Sequence, residues 1–463
     1  MAAERRGRDL APGPPPDPDD NDLTGDLIGT AHRALDRLAG ASPRLGVAVS
    51  GGSDSLALML LAADWAEARG RVVSAITIDH GLRAAAAAET AAVARIAATR
   101  GLPVEILHVA VAPGGNLLAA ARDARMAALA AWSAAAGDAP VALAHTSDDQ
   151  AETMIMRLRR GAGADGLALM APRRGPFIRP LLAFGRAALR QHLRARGLGW
   201  IEDPGNADAG TDRIRARQML KGLNQTWPVT RGLLASAGRL SRQVDALDWA
   251  TRRLAADCGL TQNAAGGIAL SPLALAEAPE ELIGRLAARA IWALTGKPYA
   301  PRHDVLQRAI SALRAMARDH DMPEMPLAQG TVLQGAREDG VSLAVIAREV
   351  AAVAPPVWLT GPAAVTWDAR TVIAPPFPPG ISLGALGRVA PAAVAHLMGP
   401  DDQAAWIGAG SAARAASPVL RDRDGAIIGV STRLGWAGPA DLMSSNIRDL
   451  VAERLADGAR KRT

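Results

Sequence analysis

Two short polar clusters carry most of the chemistry in this sequence. The first is Ser50-Gly51-Gly52-Ser53-Asp54-Ser55, set between the apolar run 45–49 and a stretch with apolar residues at helical spacing, Leu56, Met59, Leu60 and Ala63. Glycines let backbone N–H groups approach a ligand closely. A helix start adds unpaired N–H groups and the positive end of its dipole, and serine hydroxyls add donors, so the turn suits phosphate oxygens. It is neither G-x-x-x-x-G-K-[ST], which places a lysine on the β- and γ-phosphates, nor G-x-G-x-x-G. Asp54 would repel bare phosphate and makes sense in such a turn with a divalent cation. Mg²⁺ on Asp54 would neutralise a leaving pyrophosphate. A solvated Gly/Ser connection is the plainer alternative.

The second cluster places His145, Asp148, Asp149, Gln150 and Glu152 within eight residues, where an apolar run gives way to a helix start. Acids at a helix N-terminus are commonly caps and dipole partners, which accounts for one of them. Asp79 and His80 end another apolar run, as contacts for a nucleoside or metal or, through Asp79, as the N-cap of the next helix. Arg122 and Arg125 are three apart and share a helix face, for phosphate contact or for solvent. "RLRRGAGADGL" reads as a mobile cover, a backbone clamp or a solvated basic loop. "EDPGNAD" is followed by Arg213, Arg215 and Arg217. Those arginines offer a basic surface, or the exposed face of a capped helix.

These residues need a scaffold. Strand-like runs at 45–49, 72–78, 104–109 and 141–144 alternate with helical patterns at 56–69, 84–100 and 117–136, with Gly70, Gly101 and Gly137 where C-caps belong. Continuous apolar strands separated by single helices indicate a doubly wound parallel sheet covered on both faces. A helix from about Asp148, an extended "FIRPLL" and a helix over 186–196 continue the pattern. In such an α/β sheet ligands bind at the carboxyl ends of the strands, where both clusters fall. The expected division is a disordered arm (1–24), this α/β domain (25–216), a helical domain (217–325) and a small α+β C-terminal domain (326–463). Trp367 and Trp436 are candidates for stacking on bases, although core positions are the commoner use of tryptophan.

The formal charge of +6 with a pI of about 10.4 permits a polyanionic partner without requiring one. The single cysteine, Cys258, excludes an intramolecular disulfide framework and any C-x-x-C site, and fits a reducing compartment. No apolar stretch approaches the roughly 20 residues that span a bilayer, so no membrane role and a cytoplasmic location are expected.

The S-G-G-x-D-S turn after the first strand resembles the PP-loop of the N-type ATP pyrophosphatases, a Rossmann-like superfamily. That implies ATP, cleaved between the α- and β-phosphates, and Mg²⁺. Further stretches in order narrow the resemblance: "TIDHGLR", "NLLAAARDARM", "AHTSDDQAETMIMRLRRGAGADGLALM" and "IRPLL…WIEDPGNAD…DRIRARQ". Together they are similar to the tRNA(Ile)-lysidine synthases over about residues 45–220. H-x-x-D-D-Q-x-E-T is matched at His145–Thr153, R-G-x-G-x-x-G-L at Arg160–Leu167 and E-D-P-x-N at Glu202–Asn206. Met126, Ala162 and Ala216 depart from the family's tyrosine, serine and asparagine.

The resemblance implies ligation of free L-lysine to carbon 2 of the wobble cytidine in the CAU anticodon of isoleucine tRNA, through an adenylated intermediate. It assigns ATP to Ser50, Gly51, Gly52, Ser53, Asp54, Ser55 and Asp79, with Mg²⁺ on Asp54. Asp54, His145, Asp149 and Arg122 become catalytic. Arg125, Asp148, Glu152, Arg160 and Arg215 contact substrate or tRNA. Asp149, or Glu152 one turn on, would hold the lysine ammonium and help remove its proton, since only the neutral amine is a nucleophile. A homodimer is left open. The alternatives are another PP-loop enzyme acting on a nucleotide or RNA, or a non-catalytic tRNA-binding protein. A lone Cys258 fits neither a glutaminase-bearing synthetase nor the cysteine-dependent tRNA thiolases.

Overall fold

The computed structural model describes residues 26–79, 84–109, 117–202, 211–297, 301–319, 323–338, 340–361, 363–375, 377, 379–432, 435–437 and 447–457. The arm expected at 1–24, His80 and the segment from Asp203 to Gly210 lie outside them. The chain forms two compact units, Met1–Val244 and Asp245–Thr463. Residue 216, where the sequence reading divides the chain, falls inside the helix Asp212–Thr226, which packs on the helix Ser147–Leu158.

In the first unit, helix α1 (Leu27–Ala39) precedes β1 (Arg44–Ala48), α2 (Ser53–Arg69), β2 (Val72–Asp79), α3 (Ala84–Ala98) and β3 (Val104–His108). Then come α4 (Leu117–Ala135), β4 (Val141–Ala142), α5 (Ser147–Leu158), α6 (Ala164–Leu167), β5 (Arg173–Arg174), β6 (Phe177–Ile178), α7 (Arg186–Ala195) and α8 (Asp212–Thr226). The expected helices and strands are present within a few residues. Gly70, Gly101 and Gly137 follow their helices with φ of 61°, 63° and 74°. The sheet order is β3-β2-β1-β4-β6-β5, parallel except for the β5–β6 pair.

Winding runs outward from β1 through β2 to β3 and then returns to β4 on the other side of β1. The switch point therefore lies between β1 and β4, and the crevice at their carboxyl ends is the preferred ligand site of this architecture. Alternating residues of β1 serve two cores. Leu45 and Val47, with Val49 just past the strand, pack with α1, α2 and α7, while Ala48 joins Ile76, Val141 and Trp132 on the α4 side. Helix α2 is buried nearly all round, with Leu56, Leu58, Met59, Leu60 and Leu61 at most 1% exposed. Each such side chain contributes about 1.5–3 kcal/mol relative to exposure, so α2 and its N-terminus are rigidly seated. Met126, in place of the family's tyrosine, packs into the α4 core.

Helix α9 (Val229–Asp257) runs from the first unit into the second. There the expected helices α10 (Glu280–Thr295) and α11 (His303–Met316) form. The stretch read as helical also contains β7 (Thr261–Gln262) and β8 (Ile268–Leu270). These add to β9 (Met325–Pro326), β10 (Thr331–Glu338) and β11 (Val341–Arg348) in one antiparallel sheet ordered β7-β8-β11-β10-β9. Short strands flanked by Asn and Gly carry too little periodicity to stand out from helices on either side. The remaining strands form a second five-stranded and a three-stranded sheet. Trp367 is core: 2% exposed, it donates to the Pro355 carbonyl and lies under the Arg370 guanidinium. The side chain of Trp436 lies outside the described residues.

Candidate active site

The turn after β1 is built to leave donors unclaimed. Gly52 is the N-cap of α2 and supplies no side-chain cap, so the first-turn amides of α2 face outward from the strand end. Gly51 sits at φ +83°, and a Cβ there would come within 2.6 Å of the Ile201 side chain. Its carbonyl accepts the Ile201 N–H at 3.0 Å, so both geometry and space demand glycine. The Ser50 N–H donates to Ser55 Oγ at 3.1 Å, and Ser55 Oγ donates to the Gly52 carbonyl at 3.0 Å, which fixes the turn. The turn thus forms an ordered cradle of backbone groups, an arrangement that suits an anion.

Asp54, in the first turn of α2, accepts from Ser53 Oγ through Oδ1 and from Arg186 Nε at 3.0 Å through Oδ2. Burial, with Asp149 nearby, raises its pKa above the ordinary carboxylate value in spite of Arg186. Among the described residues no group of three or more His, Cys, Asp or Glu is placed to hold a metal ion. One carboxylate beside a phosphate cradle nevertheless fits Mg²⁺, which takes one or two carboxylates and completes its shell with substrate phosphates and water.

Across the switch point, Thr146 caps α5 in a capping box. Asp149 Oδ2 accepts from the Thr146 N–H at 2.8 Å and from its hydroxyl at 3.0 Å. Asp149 Oδ1 accepts from Arg213 at 2.8 Å and Arg186 at 3.0 Å. Burial opposes its charge, but Arg186, Arg213 and the Thr146 amide together hold its pKa below the ordinary value. Asp149 is thus an anchored anion and a weak proton acceptor. Glu152, 1% exposed, takes Arg217 Nε at 2.7 Å, Arg213 Nε at 2.8 Å and Arg186 Nη1 at 3.4 Å. Asp148 turns the other way and caps α7, accepting the Arg186 backbone N–H at 2.7 Å. Gln150 braces the segment by donating to the Leu182 carbonyl and accepting from the Met170 N–H.

His145 Nδ1 accepts from Arg179 Nε at 3.3 Å. Burial and the adjacent Arg179 pull the imidazole down to about 4, so at neutral pH it is uncharged with its proton on Nε2. Arg122 and Arg213 lie close enough to contribute to that shift. Arg125 is in turn lowered by burial and by Arg122 and Arg213. Arg122, Arg179 and Arg213 thus lie near His145, with Arg125 close to Arg122 and Arg213.

Several expected residues stand at the rim or beside it. Arg160 and Arg215 are exposed and converge, with Arg159, on Asp212 rather than on the acidic cluster. Asp79 ends β2, one strand away from the cradle, and lies 3.6 Å from His108 Nδ1. Arg186 is the residue that the expectation passed over, and Arg213 and Arg217, read only as part of a basic surface, turn out to pair with the buried acids. A signal for the latter two was present: 213 and 217 are four apart and share a helix face, which 215 does not. Arg186 carried none beyond its place at the start of α7.

A model of the PP-loop domain family matches residues 30–223. The chain is 42% identical over 350 residues to the tRNA(Ile)-lysidine synthase of Ruegeria pomeroyi, covering 74% of this chain and 80% of that protein. It is 40% identical over 281 residues to the enzyme of the same name from Novosphingobium aromaticivorans, covering 59% of this chain and 82% of that one. The counterpart from Hyphomonas neptunium is 45% identical over 210 residues, covering 42% of this chain and 56% of its own length.

Proposed function

Because the chain belongs to the tRNA(Ile)-lysidine synthase family, we propose that the crevice between β1 and β4 runs the family's reaction in two steps, adenylation of the tRNA and then transfer of lysine. The function itself is ATP-dependent formation of lysidine on isoleucine tRNA. The relation that most supports a single site is structural. The turn with Asp54 and the cluster with Asp149 follow the adjacent strands β1 and β4 and share one guanidinium, that of Arg186.

In the first step ATP lies along the open amides of α2, with Ser50, Ser53 and Ser55 framing its phosphates. The carbonyl oxygen on carbon 2 of the wobble cytidine attacks the α-phosphorus, and pyrophosphate leaves. Mg²⁺ held by Asp54 would supply charge neutralisation for that leaving group. His145, neutral and protonated on Nε2, offers a hydrogen bond to the base without adding charge. Arg122 and Arg125 suit the phosphates of the tRNA or nucleotide.

In the second step the ε-amine of free L-lysine attacks carbon 2 and expels AMP. Adenylation is required because the oxygen on a urea-like carbon is otherwise a poor leaving group. Asp149 and Glu152 hold the ammonium end of lysine before it loses its proton. Asp149, with its lowered pKa, orients rather than deprotonates, and the ammonium gives its proton to water. The basic rim of Arg159, Arg160 and Arg215 faces the incoming RNA. Outside the crevice, the second unit takes the body of the tRNA by phosphate and shape.

Pyrophosphate release from ATP, followed with and without isoleucine tRNA of CAU anticodon and with no lysine added, tests this order of events. RNA-dependent release in the absence of lysine is the expected result. Release that requires lysine would place lysine activation first and overturn the scheme.

A further inference from the structure

Three carboxylates from two helices meet at the crevice, and three arginines answer them. Their wiring is unequal. Arg213 reaches Asp149 and Glu152, both on α5, and Arg217 reaches Glu152. Neither forms an ion pair with Asp54 among the described residues. Arg186 reaches all three: Nε to Asp54 at 3.0 Å, Nη2 to Asp149 at 3.0 Å and Nη1 to Glu152 at 3.4 Å. One rigid planar group thus contacts the nucleotide side of the site with one nitrogen and the lysine side with the other two.

Arg186 is itself held in place. Its backbone N–H is fixed by Asp148 of α5 at 2.7 Å, and α7 packs along α2. Its side chain is only 17% exposed. Backbone and side chain are therefore both tied to α5, while the Nε contact ties them to α2. Lysine could not replace this residue, because an ammonium is a point charge without a fork whose directions are fixed.

We propose that Arg186 is the positioning residue that couples the two half-sites, holding Asp54 in register with Asp149 and Glu152 so that adenylation and lysine transfer occur at one geometry. This rests on the reading of the crevice as a lysidine-forming site. With Arg186 replaced, Arg213 and Arg217 still neutralise the α5 acids, so lysine retains its anchor. Asp54 loses its link to them, and the defect falls on turnover in both half-reactions.

The test uses the full chain with Arg186→Gln and Arg186→Lys. Lysine-free pyrophosphate release and lysine transfer to pre-adenylated tRNA are measured separately, along with the KM for lysine and the thermal midpoint. The expected result for Arg186→Gln is a loss of about a hundredfold in each half-reaction, of the order caused by misplacement of reacting groups. KM for lysine should stay within a few-fold of wild type and most of the protein should remain folded. Arg186→Lys should recover only a small part. Three results overturn the proposal: both half-reactions within threefold of wild type, a defect confined to one half-reaction, or losses that match the unfolded fraction. Wild-type protein that adenylates no tRNA overturns instead the reading on which it rests.

Discussion

Asp148 Oδ2 accepts the backbone N–H of Arg186 at 2.7 Å, so an acid in the first turn of α5 caps the N-terminus of α7. Gly185, the N-cap residue of α7, has no side chain for that task. Adjacent acids in the second polar cluster thus do different jobs. Asp149 closes the capping box of its own helix and faces the arginines, while Asp148 secures a neighbouring helix. Replacing Asp148 with alanine should cost about 1 kcal/mol of stability, the usual value of a lost cap. Asp148→Asn, which keeps an acceptor oxygen, should retain most of it. Denaturant titration of the two variants distinguishes a cap from a group that contacts lysine or RNA, since a contact residue would leave stability unchanged in both.

Asp54 is expected to carry function at a cost to the fold. Burial raises its pKa, so at neutral pH its ionised form is less favourable in the folded chain than in the unfolded one. Asp54→Asn should therefore leave the folding midpoint equal to wild type or higher. AMP formation should fall by about a hundred- to a thousandfold, as when a preorganised group facing developing charge is removed. Quenched-flow measurement of AMP beside a melting curve reads both signs.

His145 gives a pH signature. Its folded pKa of about 4 lies below the value of about 6.5 for the free side chain. Between those values the unfolded chain binds a proton that the folded chain refuses. Its contribution to stability is complete above about pH 6.5 and is lost as the pH falls toward about 4. His145→Gln, which cannot titrate, should show a shallower decline of stability across that window. His192, also lowered by burial, contributes equally to both proteins and cancels in the difference. Identical slopes would contradict a neutral buried imidazole.

Arg217 and Arg215, two residues apart on α8, should behave differently. Arg217 touches Glu152, which is 1% exposed, whereas Arg215 is exposed and pairs with Asp212 on the rim. Arg217→Ala leaves a buried carboxylate short of a donor, which costs about 1–3 kcal/mol. Arg215→Ala removes an exposed, solvent-screened pair, so it should leave stability nearly unchanged and weaken RNA binding in a salt-dependent way. Parallel stability and RNA-binding titrations at two salt concentrations separate the two.

How much of this was legible from residues alone follows from the range of each interaction. The cradle was readable because Ser50 to Ser55 are contiguous, and strand, turn and helix start are local features. The sheet was readable because buried parallel strands show as apolar runs. Arg186 was not, because its significance comes from joining α2, α5 and α7, which lie far apart in sequence. Asp148 and Asp149 were told apart only by the family resemblance, since nothing local shows which acid turns toward a second helix. The strands at Thr261–Gln262 and Ile268–Leu270 were hidden among helices because they are too short for an alternating pattern.

The most direct measurement is transfer of labelled lysine. The full chain is incubated with ATP, Mg²⁺, radiolabelled L-lysine and a set of isoleucine tRNA transcripts that differ only in the anticodon. Label should appear in the CAU transcript alone, with one AMP formed for each lysine incorporated. Label in every transcript, in the protein instead of the RNA, or in nothing would contradict the account.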